Sequence, residues 1–290
     1  MIRLVVEACR PKQWIKNALV LAAPLVSRTI FESAVLPKIL LIFLSFCLVS
    51  SSMYLINDLR DRVADSVHRT KCSRPIASGR LSPVVAWRFA VGLAISGLLV
   101  AASVSTGAFA VVAVYAVITS AYSLYLKRIP ILELLIVSSG FVLRALAGAV
   151  VADVPPSRWF LACILSGSLF VAIKKRYAEL VDTPIGSAST RKVLKVYKAS
   201  TLRIAARAGA LVFVLTYAGW AVFVEDAGVG GLALRLLSTV PLAGAAIRYE
   251  HSSSQSEGEA PEDLFGSDRV LQLLGLLWIV LVGASIYLAK

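Results

Sequence analysis

Nine apolar runs, most of them about 20 residues long, dominate the chain: 15 to 34, 36 to 56, 83 to 103, 106 to 126, 130 to 151, 158 to 173, 204 to 224, 230 to 247 and 270 to 289. About 20 such residues is the helical length that crosses the hydrocarbon core of a bilayer. The runs therefore predict an all-α polytopic membrane protein, a bundle of about nine transmembrane helices. The first run is the least regular, because Pro24 and Arg28 interrupt it. Hydrophobic residues make up 58% of the 290 and charged residues only 16%, with a mean hydropathy of +0.79. That balance excludes a soluble domain.

The net charge of +13 invites a nucleic-acid reading, but its distribution argues against one. Of the 30 Lys and Arg, 24 fall in the N-terminal segment and in the loops after the second, fourth, sixth and eighth runs. Only Arg28, Lys38, Arg158, Arg235 and Lys290 fall on the opposite side, and Arg144 lies within a run. Under the positive-inside rule this asymmetry predicts a multi-pass protein of the cell inner (cytoplasmic) membrane, with the N-terminus cytoplasmic and the C-terminus outside. A cleavable signal peptide is not expected, since Arg3, Glu7, Arg10 and Lys12 precede any apolar core. Cys9, Cys47, Cys72 and Cys163 are scattered, and His68 and His251 lie far apart, so neither a disulfide framework nor a zinc spacing is present. The whole chain, 1 to 290, reads as one transmembrane domain. Its long polar segments, 57 to 82, 174 to 203 and 248 to 268, all lie on the cytoplasmic side, where function is expected.

The sharpest polar signal follows the second run directly: Asn57-Asp58-Leu59-Arg60-Asp61-Arg62-Val63-Ala64-Asp65. If the helix continues, Asp58, Asp61 and Asp65 fall at i, i+3 and i+7 and share one face. Carboxylates stacked in this way repel unless a cation lies among them. Hard oxygen donors beside bases suit a Mg²⁺-diphosphate, because the metal takes carboxylate and phosphate oxygens while the bases take the remaining phosphate charge. Arg69, Lys71, Arg74 and Arg80 follow in the same loop, and Pro75 and Gly79 would let it fold back over a site. A merely solvated helix end is the plainer alternative. Three aligned carboxylates at a membrane boundary argue against it.

Other constellations are less specific. Arg10, Lys12, Gln13, Trp14, Lys16 and Asn17 open the first run. Arg10, Lys12 and Lys16 have the reach to grip a lipid phosphate while Trp14 anchors in the interface, although topology-setting charge with an aromatic belt would look similar. Gln13 and Asn17, polar at the membrane boundary, favour a ligand role. Lys174, Lys175 and Arg176 cannot all face one way on a helix, so they divide between phosphate and headgroups, or serve as a cytoplasmic anchor. Tyr177 and Glu179 add a donor and an acceptor suited to sugar hydroxyls. Glu262, Asp263 and Asp268, before the last run, are a weaker candidate. Glu133 and Arg144, within the fifth run, are costly in lipid and should face the bundle interior. No Walker loop, dinucleotide fingerprint, Gly-x-Ser-x-Gly elbow or His-Glu-x-x-His helix occurs, so hydrolase and redox readings lack a site.

These residues carry a resemblance. Asn57-Asp58-x-x-Asp61-x-x-x-Asp65 resembles the first Asp-rich motif of the UbiA-type intramembrane prenyltransferases, all-helical bundles with a cytoplasm-facing polar cavity for a Mg²⁺-diphosphate. Within that superfamily the chain is most similar to the branch that transfers phosphoribose to a polyprenyl phosphate. The similarity lies in Arg10-Pro11-x-Gln13-Trp14-x-Lys16-Asn17, Arg74-Pro75-Ile76-Ala77, Lys175 to Leu180, Pro261-Glu262-Asp263 and Asp268 to Leu274, and so covers nearly the whole chain. Prenyl-diphosphate users carry a second Asp-rich motif where this chain has Lys174 to Glu179, which favours a different donor.

The resemblance implies Mg²⁺ held by Asn57, Asp58, Asp61 and Asp65, with 5-phosphoribosyl 1-diphosphate as donor and a polyprenyl phosphate as acceptor. It implies a product feeding lipid-linked arabinose and cell-envelope glycan synthesis. Arg10, Lys12, Gln13, Lys16 and Asn17 would then position the lipid. Arg69, Lys71, Arg74, Lys175, Arg176, Tyr177, Glu179, Glu262, Asp263 and Asp268 would complete the substrate contacts. Two other readings stay open: a UbiA-type prenyltransferase with a polyprenyl diphosphate donor, and an anionic-lipid transporter, which would predict related structural halves. A homo-oligomer is compatible with each.

Overall fold

A computed structural model describes residues 1–68, 70–182, 192–224, 229–252, 264 and 266–288, and the regular elements among them are all helices, with no strand. The chain forms two compact units. The first contains α1 (Ile2–Cys9), a 3₁₀ helix (Pro11–Leu21), α2 (Ala22–Val26), α3 (Val35–Ser66), α4 (Pro83–Val104), α5 (Thr106–Leu124) and α6 (Leu132–Val151). The second contains α7 (Arg158–Asp182), α8 (Ala199–Phe223), α9 (Val229–Ser252) and α10 (Arg269–Tyr287).

Among the described residues seven helices, α3 to α6 and α8 to α10, are long and apolar enough to cross a membrane, so nine is an approximate count. The two departures have local causes. The run 158 to 173 sits inside α7, but 16 apolar residues reach only about 24 Å as a helix, short of the hydrocarbon thickness. The run 15 to 34 is not one helix at all. Its first part is 3₁₀, α2 ends at Val26 just after Pro24, and Arg28 turns left-handed (φ 65°) before a short 3₁₀ turn at Thr29–Phe31.

Helix α3 organises the first unit. Its 32 residues extend about 48 Å, well beyond a bilayer's hydrocarbon, so its last turns project past the apolar layer and carry Asn57 to Asp65 with them. Ser45 and Ser52 donate to the carbonyls of Gly97 and Ala90, each at 2.7 Å, and lace α3 to α4. Such bonds are the usual glue between helices that lack a hydrophobic drive to associate in lipid. Ile39, Ile42, Phe46 and Val49 of α3 form the buried core with Val112 and Tyr115 of α5 and Ala147 and Val151 of α6. Arg144 and Glu133 of α6 are both buried, as their cost in lipid requires.

In the second unit α7 packs on α8, α8 on α9 and α9 on α10. Phe170, Ala246, Tyr249, Leu264 and Leu271 form its core at the end that carries the charged residues of α7 and α9.

Candidate functional site

The acidic motif lies on a continuous helix. Asp58 and Asp65 are buried, Asp61 is half-buried, and Arg60 and Arg62 point outward, so the carboxylates face inward together. Each carboxylate meets a base from another element. Asp58 accepts from Arg10 at 2.5 Å and from Arg74 at 3.1 Å, while the same Arg74 nitrogen reaches Asp65 at 2.5 Å. Asp61 pairs with Lys127 at 2.6 Å, and Lys127 also donates to the Asn57 side chain at 3.2 Å. Three carboxylates and three bases therefore form one balanced cluster in the first unit. Charge-assisted bonds of this length are the strong kind.

The loop after α3 delivers Arg74 because it is anchored on both sides of Gly79. Ile76 and Leu81 are buried against Val5, Ala8, Leu55 and Ala86, and the Leu81 amide donates to the Pro75 carbonyl at 2.8 Å. Gly79 takes φ +77°, a conformation that a residue with a side chain seldom adopts. Arg80 closes the arrangement by pairing with Glu7 of α1 at 2.9 Å. Lys71 lies in the same loop, half-buried; Arg69 is outside the described residues.

The 3₁₀ segment carries the second basic cluster. Eleven residues of 3₁₀ is unusually long. Arg10 stands at its start in the left-handed region (φ 54°), with its guanidinium 5.0 Å over the Tyr54 ring and bonded to Asp58. Lys12 is exposed, and Lys16 donates to Gln13. Trp14 donates to Ser51 at 3.1 Å, so the indole is held against α3. Asn17 is buried. Its nitrogen donates to Cys47 and Ser50, and its oxygen accepts from Arg144 at 2.8 Å.

In the second unit the three consecutive bases diverge as helical geometry demands. Lys174 is buried and donates to the Glu250 carbonyl at 2.7 Å, Lys175 is exposed, and buried Arg176 pairs with Glu179 at 2.6 Å. Tyr177 is buried with Lys174 and Arg203 over its ring. Asp268 caps α10 by accepting from the amides of Val270 and Leu271, and also pairs with Arg248 at 2.8 Å. Glu262 and Asp263 lie outside the described residues.

Lys127 is the cluster residue that sequence reasoning misses. In sequence it counts only as one of the topology-setting charges. The signal that could have singled it out is the pair Lys127-Arg128 closing an otherwise apolar helix just before Pro130.

The donor set suits a divalent cation. Among the described residues no three of His, Cys, Asp and Glu converge on one point. Two carboxylates, however, already share a single cationic nitrogen, that of Arg74. Mg²⁺ is commonly held by one or two carboxylates, with substrate phosphates and water completing its octahedron. Asp58 and Asp65 match that pattern, with Asp61 about one helical turn from Asp58 and from Asp65.

An arrangement of acids and bases at the end of a long apolar helix, inside an all-helical membrane bundle, defines a class. Residues 18–268 match the UbiA prenyltransferase family, and the chain belongs to it. Within the family it is 41% identical to the decaprenyl-phosphate phosphoribosyltransferase of Mycolicibacterium smegmatis, over 97% of this chain and 92% of that protein. It is 40% identical to the protein of the same name from Mycobacterium tuberculosis, over 97% and 94% of the two chains. Its fold matches a UbiA homologue from Archaeoglobus fulgidus, solved bound to GPP and Mg²⁺, with a TM-score of 0.75 at 17% identity, covering 97% of this chain and 98% of that one.

Proposed function

We propose that this chain is a transferase that moves the 5-phosphoribosyl group of 5-phosphoribosyl 1-diphosphate to a polyprenyl phosphate at the cytoplasmic face of the inner membrane, releasing diphosphate. The observation that carries the reading is the balanced cluster on α3, in which Asp58 and Asp65 share the Arg74 guanidinium, Arg10 joins Arg74 on the same Asp58 oxygen and Lys127 pairs with Asp61. Similarity along nearly the whole chain to decaprenyl-phosphate phosphoribosyltransferases supports the acceptor.

In the reaction, the bond from ribose C1 to the diphosphate oxygen breaks with its electron pair leaving on the diphosphate, and a lipid phosphate oxygen bonds to C1. Positive charge develops on the ribose ring, as in glycosyl transfer generally. The lipid phosphate is already anionic, so no strong general base is needed. When bound beside the diphosphate, Mg²⁺ supplies neutralisation of the leaving-group charge. Asp58 and Asp65 would hold it, with the Asp61 carboxylate and the Asn57 amide oxygen completing the donor set. Arg10, Arg74 and Lys127, displaced from their carboxylates, then present their donors to phosphate oxygens.

Arg10, Lys12 and Lys16 orient the lipid phosphate, and Trp14 keeps that segment at the interface. Lys175, Arg176, Tyr177 and Glu179 are assigned to the sugar's 5-phosphate and hydroxyls by residue type and by the family resemblance. The product is a lipid-linked pentose phosphate, a precursor suited to envelope glycan synthesis. The test is incubation of membranes containing the protein with polyprenyl phosphate, Mg²⁺ and donor labelled in the ribose. Label is expected in the lipid extract. Transfer only from a labelled prenyl diphosphate would overturn the reading.

A further inference from the structure

Arg144 is a buried cation within a membrane-spanning helix, and among the described residues none of its hydrogen-bond partners is a carboxylate. Its three contacting nitrogens end on neutral acceptors: Asn17 Oδ1 at 2.8 Å, the Gly140 carbonyl at 2.7 Å and the Tyr115 hydroxyl at 2.9 Å. Its guanidinium carbon lies 4.7 Å from the Tyr115 ring centroid and 5.6 Å from those of Phe46 and Phe141. A charge at this depth is expensive, and a neutral side chain would fill the space more cheaply. What arginine adds is a planar fork that engages α5, α6 and the 3₁₀ segment at once.

The 3₁₀ segment follows a single stripe of α3. Asn17 meets Cys47 and Ser50, Trp14 and the Cys9 carbonyl meet Ser51, and Arg10 covers Tyr54 and reaches Asp58. Residues 47, 51, 54 and 58 recur at helical spacing, so the segment runs along α3 in one register and begins on the first aspartate of the acidic motif. From the other side α6 holds it at two points one turn apart. Arg144 binds Asn17, and Gly148 lies so close to Val20 that a Cβ there would come within 1.9 Å of the Val20 carbonyl oxygen.

We propose that Arg144 is a positioning residue: through Asn17 it fixes the register of the 3₁₀ segment on α3 and so keeps Arg10 beside Asp58, from where its donors reach phosphate once the site is loaded. This rests on the reading of Asp58 as part of the donor-binding motif. A long 3₁₀ run cannot rely on its own poorly aligned bonds, and the left-handed Arg10 at its start is strained, so the register needs an external anchor. The buried cation supplies one that apolar contact could not, because its bonds are directional.

A double-mutant cycle tests this on kcat/KM for phosphoribosyl transfer in full-length protein, using Arg144→Gln, Arg10→Ala and the pair. If Arg144 acts through Arg10, each single change costs roughly tenfold or more, and the double variant is no worse than the poorer single one. Multiplying losses would show independent roles and overturn the proposal. Hydrogen exchange on the same variants reads the register without any turnover. In Arg144→Gln the amides of residues 12 to 21 are expected to lose at least tenfold protection while those of α4 keep theirs. Unchanged exchange in 12 to 21 also overturns the proposal.

Should Arg144→Gln fail to fold, Asn17→Leu and Asn17→Asp replace it. The leucine variant is expected to release the segment. The aspartate, which keeps an acceptor for Arg144, should retain its protection, and equal loss in both would count against the anchor. Absence of phosphoribosyl transfer by the unaltered protein would sink the proposed function and leave the exchange result standing.

Discussion

Replacing Gly148 by alanine measures how tightly the 3₁₀ segment must lie on α6. The added Cβ would stand 1.9 Å from the Val20 oxygen, 2.8 Å from its carbonyl carbon and 3.2 Å from its Cα. All three are backbone atoms, so no flexible side chain can swing away. An ordinary carbon-to-oxygen contact is about 3.3 Å, which obliges the segment to retreat by roughly 1 Å or more. Overpacking of this kind costs about 1–3 kcal/mol, and alanine returns at most ~1 kcal/mol through helix propensity. With the full return, a net loss of up to about 2 kcal/mol is expected. The effect on turnover should be larger than the effect on stability, because a misplacement of ~1 Å in a positioning element can cost up to about 100-fold. Gly92→Ala in α4 is the matched control, since nothing lies within 4 Å of its Cβ position. The assay pairs thermal unfolding in detergent with initial rates of labelled transfer. Parental melting and parental rate in Gly148→Ala would refute the close-packing argument.

Asp61→Asn removes one anionic ligand from a half-buried position, so the protein should insert and fold normally while turnover falls by roughly 100-fold or more, and raising Mg²⁺ should recover little; near-normal rates at ordinary Mg²⁺ would remove the metal role. Arg176→Ala should raise KM for the phosphoribosyl donor far more than for the polyprenyl phosphate, with Arg176→Lys a partial rescue, whereas equal rises would point to a general collapse of that end of α7. Cys72 is exposed in the loop after α3, whereas Cys9 and Cys47 are buried. A membrane-impermeant maleimide should therefore label Cys72 in inverted vesicles and not in intact cells, and the reverse pattern would invert the orientation assigned from the charge distribution.

The sequence made the framework readable because hydrophobic runs and helical periodicity are local signals. The runs from 36, 83, 130, 230 and 270 each coincide with most or all of a helix, and the i, i+3, i+7 spacing placed Asp58, Asp61 and Asp65 on one inward face. What stayed hidden depends on partners distant in sequence. The apolar character of 15 to 34 reads as an ordinary span, yet the 11 to 21 portion is 3₁₀. Its polar residues Trp14 and Asn17 are satisfied by Ser51, 37 positions away, and by Arg144, 127 positions away. Lys127 likewise gains its meaning only when α5 returns its end to Asp61, 66 positions back in the chain. Asn17, which resembles a lipid ligand in sequence, is buried against Arg144. That gives its identity a mechanical reason: an amide at that point presents an acceptor to a cation and a donor to α3 in the same plane. The polar residues at the start of the first run thus divide by role. Asn17 and Trp14 fix where the segment sits, and Arg10 marks where it begins, on the carboxylate that the donor's metal would need.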